Sequence, residues 1–342
     1  MSFFKKHKVL TRILIGILIF VLVVVGLAVW FISSKLNKIN YDDGKKVGEI
    51  SDIITDYDEN GEGEENILTE EDIKNLENTS AIPATSEIFA DSDVFNILLL
   101  GTDERTPEFN VDARADSIML LSINKEDESI KLVSLERGMG VPILEGQYAG
   151  QYDWLTHCFR YGGADLMIKE VRECFRIDVN RYVRVNFNTF SQIVDSVGGV
   201  DISLTSAEAK ALGLSEGMNH LDGRNALAYS RLRKIDSDWQ RIGRQRNVLQ
   251  SALKAAKGMS LLEINDAADT ILPLIQTNLT KGEILDLIWF APNILGKDIE
   301  QMTIPQEGTY GGMKGMGGRS LFAVDFETNA QILREFFYGI QE

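Results

Sequence analysis

The sequence predicts an α/β fold, a mixed sheet with helices on both faces, preceded by one helix that spans a membrane. Three observations predict it. From residue 94 onward, short apolar runs bounded by polar turns alternate with segments of helical spacing. Two of those runs, Ser117–Ile123 and Ile130–Leu135, are joined by the polar turn Lys125–Ser129. A hairpin therefore interrupts the alternation and makes the sheet mixed. Near the start, Ile13–Ile32 is twenty residues without a charge.

A helix of that length reaches roughly 30 Å, the hydrocarbon thickness of a bilayer. Core helices of this length are rarely apolar on every side. A cleaved leader would have a shorter apolar region and a small-residue cleavage site, which Gly26-Leu27-Ala28 does not supply convincingly. Residues 13–32 are therefore expected to be an uncleaved anchor, with 1–12 as a cytoplasmic tail and Trp30 and Phe31 at an interface. Flanking charge does not orient it, because Lys5, Lys6, Lys8 and Arg12 on one side balance Lys35, Lys38, Lys45 and Lys46 on the other.

The net charge of −16 over 342 residues is unevenly spread. Residues 1–41 carry +6, residues 42–93 carry −14, and residues 94–342 carry −8. An acidic balance excludes a sequence-independent nucleic-acid binder, so no nucleic-acid partner is expected. Residues 33–93 are read as an acidic extracytoplasmic linker, a solvated spacer with one short capped helix at Thr69–Leu76. Residues 94–342 are read as the globular domain.

In that domain Phe95–Leu100 is the first buried strand, and Ser117–Ile123 and Ile130–Leu135 form the hairpin. Ala164–Phe175 has helical spacing. Tyr182–Val185, Phe187–Val197 and Val200–Leu204 read as strand, helix and strand, with Gly198-Gly199 at the turn between the last two. Arg241–Lys257 is a long amphipathic helix, and Ile284–Phe290 a shorter one stopped ahead of Pro292. Ile299–Ile304 and Leu321–Val324 are late strands, and Phe326–Ile340 closes as a helix. The glycine cluster at 311–318 lacks the strand–loop–helix context of a phosphate loop and is expected to be a surface loop.

Polar residues gather where the apolar runs end. Asp103 and Arg105 follow the first strand, Arg114 and Asp116 precede the second, and Glu136 and Arg137 follow the third. Rigid sheets present functional groups at such loops. The densest group runs from Tyr229 to Arg246. Five Arg and one Lys lie between Arg231 and Arg246. Arg231 and Arg233 would share one side of an extended segment, and Arg241 and Gln245 one face of a helix. Guanidinium forks match phosphate oxygens, and two nearby carboxylates suit a divalent metal bridging such oxygens. The pattern implies a pyrophosphate or phosphodiester substrate. Composition alone fits equally well a solvated helix face paired with Asp236 and Asp238.

Spacing decides between them. Gly217-Met-Asn-His-Leu-Asp-Gly-Arg-Asn-Ala-Leu-Ala-Tyr-Ser-Arg-Leu-Arg233, followed by Asp238, Arg241 and Arg244-Gln245, closely resembles the signature of the LytR–CpsA–Psr family. So do NILLLGTDER, RADSIMLLSIN and VSLER, in the family's order, and Thr156–Gly163 and Tyr182–Val200 resemble its next two segments. The resemblance covers roughly residues 94–258 and the single anchor. It implies an α/β/α sandwich around a mixed sheet, with a long apolar pocket for a polyprenyl tail. It implies an extracytoplasmic domain on a single-pass type II cell-membrane protein, and a phosphotransferase that moves a glycopolymer phosphate from a polyprenyl-pyrophosphate carrier to peptidoglycan.

Carried over by position, the resemblance implies that Asp103 and Asp116 hold Mg²⁺ or Mn²⁺. Arg114, Arg137, Arg231, Arg233 and Arg241 would neutralise the pyrophosphate, Gln245 would donate a hydrogen bond to it, and Asp103 is the candidate base. This chain departs from the family at Gly138-Met139, where Asp-Thr is usual, and at Trp154, where the family has a lysine. Arg160 is a candidate replacement for that charge. The departures keep open a non-catalytic scaffold that binds the carrier or peptidoglycan, and a pyrophosphatase with water as acceptor would use the same residues as the transferase. His157 is read as a structural hydrogen bond fixing a loop, His220 as turn structure, and Cys158 and Cys174 as free thiols.

Overall fold

The computed structural model describes residues 31–42, 79–104, 109, 113–232, 235, 238–294 and 297–340. The strands are β1 (Asn40–Tyr41), β2 (Val94–Thr102), β3 (Ala115–Asn124), β4 (Ser129–Leu135), β5 (Gly140–Pro142), β6 (Tyr152–Trp154), β7 (Arg181–Asn186), β8 (Val200–Leu204), β9 (Gly217–Leu221), β10 (Gln276–Thr277), β11 (Glu300–Ile304), β12 (Tyr310–Lys314) and β13 (Ser320–Val324). The helices are α1 (Leu155–Phe175), α2 (Phe187–Ser196), α3 (Ser206–Leu212), α4 (Gly223–Ser230), α5 (Asp238–Lys257), α6 (Leu261–Ile271), α7 (Lys281–Ile294) and α8 (Phe326–Tyr338).

Seven strands form the central sheet in the order β1-β10-β7-β2-β3-β4-β11. It is mixed, as expected. The pairs β1–β10, β7–β2 and β4–β11 are parallel, while β10–β7, β2–β3 and β3–β4 are antiparallel. The β3–β4 hairpin turns at residues 125–128. On one face Leu98, Leu100, Ile118, Leu120, Val133 and Leu135 pack with Phe159, Val171 and Phe175 of α1 and Phe326, Leu333 and Phe337 of α8. Each fully buried Leu or Phe there contributes roughly 1.5–3 kcal/mol, so this layer carries most of the stability. The other face carries Leu99, Leu121, Val183 and Val185, which are half-buried, beside buried Ile97, Met119 and Leu132. A second core joins α2, β8, β9, α3, α4 and α5 through Val194, Ile202, Leu221, Tyr229 and Val248.

Several expectations are corrected. Helix α1 begins at Leu155, upstream of the expected Ala164, because the Gly162-Gly163 pair kinks the helix instead of ending it. Gly163 takes φ 65° and ψ −156°, a conformation a side chain would resist. His157 therefore sits on a helix, and His220 on β9 rather than a turn. The glycine cluster is no surface loop. Gly311 and Gly312 are buried in β12, which pairs with β13. A Cβ on Gly315 would meet Leu321 Cδ1 at 2.2 Å and the Tyr152 carbonyl at 2.6 Å, so close packing is what selects glycine there. Pro292 lies inside α7, in its last turn, where losing one donor costs little. Cys158 and Cys174 are free, as expected, and both are buried.

The linker boundary also moves. Leu36 and Ile39 are buried and β1 is an edge strand of the sheet. At the far end, Ala81 and Ala84 are buried, and Ile82 bonds through its N–H to Val324 and through its carbonyl to Phe326. Apolar residues at both margins of the acidic run thus belong to the domain. The expected helix at Thr69–Leu76 and all of the span 13–32 except Phe31 and Ile32 lie outside the described residues. Among the described residues no helix is long and apolar enough to cross a membrane.

Glu170 of α1 is fully buried, with one oxygen accepting from the Leu144 N–H at 2.7 Å and the other unpartnered. Burial pushes its carboxyl up to about 8. The folded state therefore holds a proton that the unfolded chain releases near pH 4.5, and stability is lost as pH rises from there through about 8. Glu170→Gln keeps the acceptor and removes the charge. Thermal unfolding across pH 5–9 should show the variant gaining on the parent as pH rises, by roughly 2–4 kcal/mol at the alkaline end.

Candidate active site

Because β2 and β7 run together and β3 runs against them, the ends of β2, β4 and β7 and the start of β3 converge at one end of the sheet. Asp103 follows β2 directly and Asp116 is the second residue of β3. A register shift at Gly101/Thr102 brings Asp103 beside Arg114, and the Asp103 N–H donates to the Arg114 carbonyl at 3.2 Å. The Arg114 N–H donates to Asp103 Oδ1 at 2.7 Å, and its Nε and Nη2 reach Asp103 Oδ2 at 3.0 and 2.8 Å. Arg137, two residues past β4, donates from Nη1 to Asp116 Oδ1 at 2.9 Å. That second pair is almost wholly buried, at 5% and 9% exposure.

Burial, and then the neighbouring charge of Asp116, push the Asp103 carboxyl up to about 6. The Arg114 N–H and the charge of Arg160 act in the opposite direction. Arg160 stands on α1, so its charge reaches this site although the family lysine at Trp154 is absent. Trp154 itself is buried and donates from Nε1 to the Ser320 carbonyl at 2.8 Å. Gly138 and Met139 are also structural. The Gly138 carbonyl accepts from Phe322, and Met139 is fully buried.

Of the remaining expected residues, Arg231 lies at the end of α4, and Arg241 and Gln245 lie on α5. Arg231 is exposed, caps the C-terminus of α4, and stacks at 4.4 Å over the ring of Phe187, the first residue after β7. Arg231 itself stands at a helix end. Arg233 lies outside the described residues. Arg241 is buried in the first turn of α5, with half-buried Gln245 one turn on. Two other arginines seat α5. Arg244 bonds Glu208 at 3.4 Å and the Leu232 carbonyl at 2.8 Å, and Arg246 bonds Thr303 Oγ1 and the Met302 carbonyl on β11. Trp239 of α5 packs on Phe322, next to Arg137.

Sequence reading missed two groups. Arg184, mid-strand in β7, pairs with Glu104, donates to Thr102 Oγ1 at 3.1 Å and Gln276 Oε1 at 2.9 Å, and stacks on Phe159 at 4.5 Å. The signal was an arginine on the period-2 face that carries Tyr182 and Asn186. The other group is Asp153, fully buried, which accepts from Tyr161 at 2.5 Å and Arg319 at 3.5 Å and bonds His157 Nδ1 at 2.9 Å. Burial alone would raise its carboxyl, but the bonds from His157 and Tyr161 and the charge of Arg319 hold it below the usual range. His157 thus fixes a buried network.

Removing one member of a buried pair strands the other charge. Arg184→Met should cost roughly 3–5 kcal/mol in denaturant unfolding, and adding Glu104→Gln should recover most of it. A double variant no more stable than the single would show that Arg184 acts through its stacking instead.

Comparison with known proteins agrees with this geometry. The profile of the LytR_cpsA_psr family matches residues 56–336. The chain is 35% identical over 218 residues to the polyisoprenyl-teichoic acid–peptidoglycan teichoic acid transferase TagU of Bacillus mycoides, covering 62% of this chain and 69% of that protein. It is 34% identical over 223 residues to TagU of Halalkalibacterium halodurans, covering 63% and 70%. Among solved structures, TagT bound to LIIa-WTA superposes with a TM-score of 0.59 at 27% identity, covering 77% of this chain and 97% of that one. The LytR-CPS2A-psr family protein YwtF (TagT) with bound octaprenyl pyrophosphate lipid gives 0.55 at 25% identity, covering 76% and 97%. With the family's motifs at one end of its sheet and its profile matched over most of the chain, this protein belongs to the LytR_cpsA_psr family.

Proposed function

We propose that this protein transfers a glycopolymer, of the teichoic-acid kind its relatives are named for, from a polyprenyl-pyrophosphate carrier to peptidoglycan. The observation that carries the reading is the doubled carboxylate–guanidinium arrangement, Asp103 with Arg114 and Asp116 with Arg137, at one end of the sheet. It stands on a fold shared with a relative that binds a polyprenyl pyrophosphate. Residues 13–32 anchor the chain in the cell membrane as a single-pass type II protein with the domain outside.

The residues fit a divalent cation. Asp103 and Asp116 repel each other in a poorly hydrated setting, and hard oxygen ligands are what Mg²⁺ or Mn²⁺ takes. Among the described residues no group of three or more acidic, His or Cys side chains forms. The two carboxylates would therefore hold the ion together with phosphate oxygens and water. When bound, it would neutralise charge on the pyrophosphate. Arg114, Arg137, Arg231, Arg233 and Arg241 orient the phosphates and offset their charge, and Gln245 donates a hydrogen bond. Transfer is in-line. The acceptor sugar oxygen bonds to the glycopolymer-bearing phosphorus, the bridging P–O bond breaks, and polyprenyl phosphate leaves. Asp103 takes the hydroxyl proton, since its carboxyl lies close to neutrality.

The test incubates the full chain in lipid vesicles with a polyprenyl-pyrophosphoryl oligosaccharide, Mg²⁺ and peptidoglycan fragments, and reads products by mass spectrometry. A sugar-phosphate–peptidoglycan adduct is expected, abolished by chelation. Arg137→Ala and Arg231→Ala should each lower kcat on the order of 10²-fold or more. Free sugar phosphate without adduct would indicate a pyrophosphatase, and bound but unreacted lipid a scaffold. Protonating Asp103 removes both a ligand and the base. Turnover at limiting Mg²⁺ should therefore fall as pH drops through about 6, and a flat profile between pH 5 and 7.5 would exclude Asp103 from both roles.

A further inference from the structure

Helix α7 is apolar around most of its circumference, from Ile284 through Ala291, yet Ile294 is its one buried residue. Trp289 is 77% exposed and Ile288 51%. On α6, Leu262 and Ile264 are 78% and 46% exposed. Single exposed apolar residues are ordinary, but two helices that both present them, each bonded to the same N-terminal segment, mark a contact surface.

The two helices flank the point where the N-terminal segment joins the domain. Lys35 and Lys38 bond Asp269 of α6 at 2.5 and 2.8 Å. Lys281, which opens α7, donates to Asn37. Between the two helices lies β10, the partner of β1, and Asn40 donates from Nδ2 to the Pro273 carbonyl at 2.6 Å. The apolar run ends at Ile32, and Leu36, four residues on in the same helix, is already buried in the domain at 3% exposure. Four helical residues advance only about 6 Å. No free tether separates the run from the sheet edge.

We infer that α6 and α7 form a membrane-docking surface, with Leu262, Ile264, Ile288 and Trp289 seated in the interfacial layer of the leaflet from which the anchor emerges. The domain lies flush on the bilayer. The inference rests on reading residues 13–32 as the anchor. The occupant is the bilayer and not the tail of a carrier lipid, because Trp289 and Leu262 stand on the outer surface, whereas a tail site is concave and covered. An exposed tryptophan beside aliphatic side chains is the composition that interfaces favour.

The test places single cysteines at Val23, Leu262, Trp289 and the exposed Met218 of β9 in the full chain, the buried native thiols left in place. Each carries an environment-sensitive fluorophore and is reconstituted into phosphatidylglycerol–phosphatidylethanolamine vesicles with nitroxide-bearing acyl chains and no polyprenyl lipid. Loss of most emission at Val23, Leu262 and Trp289, with little loss at Met218, is expected. Quenching at Val23 alone would overturn docking and leave the anchor standing. Quenching at none would overturn both. Quenching at Leu262 and Trp289 without Val23 would overturn the anchor and with it docking beside an emerging anchor, leaving only peripheral adsorption. Equal quenching at all four would overturn docking as unspecific adsorption. Adding Ile264→Asp and Ile288→Asp to the Leu262 probe should restore its emission.

Discussion

Burial of the Asp103 and Asp116 carboxylates at one end of the sheet is the constraint around which this end of the molecule is built. Burying either charge without compensation would cost several kcal/mol, so the chain must bring cations to the same place. It does so through strand register. The antiparallel β2–β3 pair sets Asp103 against Arg114, and the β3–β4 hairpin returns the chain so that Arg137 meets Asp116. In the proposed reaction these carboxylates would hold a divalent cation, and Arg231 and Arg241 on α4 and α5 would face the phosphates.

The strands that carry this arrangement were legible because their signal is local. Phe95–Leu100, Ser117–Ile123 and Ile130–Leu135 are mostly apolar runs, and only a hairpin fits the six polar residues between the last two. Asp103, Arg114, Asp116 and Arg137 could be picked out as polar residues at run ends. Arg184 could not, since a polar residue inside an apolar strand reads as a solvent-facing position until the sheet's other neighbours are known. Its partners Glu104, Thr102 and Gln276 lie about 80 to 90 residues away along the chain.

Glycine and charge misled for opposite reasons. Gly162-Gly163 and the cluster at 311–318 look like chain breaks, because glycine's freedom is what a sequence displays. What these positions use is the missing side chain, at a kink within α1 and where Gly315 lies against Leu321 and Tyr152. The acidic stretch misled by dominating its surroundings. Leu36, Ile39, Ala81 and Ala84 are few and small beside seventeen acidic residues, yet each is buried against the domain. Charge shows which residues remain in water and does not locate the point where packing begins.

That boundary bears on how the site meets its substrate. Strand β1 abuts β10, β10 abuts β7, and β7 ends in Asn186 and Phe187, beneath Arg231. The edge is firmly tied. Tyr182 of β7 donates to Asp42 at 2.6 Å, and Thr277 of β10 donates to the Tyr182 carbonyl. Two strand spacings, about 10 Å, therefore separate β1, which follows the apolar run 13–32 in sequence, from β7, which ends beneath Arg231. A carrier lipid keeps its tail in apolar surroundings while its pyrophosphate must reach those arginines. A domain on a long flexible stalk would have to find that headgroup by diffusion and lose orientational entropy on binding it. With residues 13–32 as the proposed anchor, a domain whose edge strand follows it closely would have given up that freedom on folding, leaving the binding energy of the arginines for the pyrophosphate.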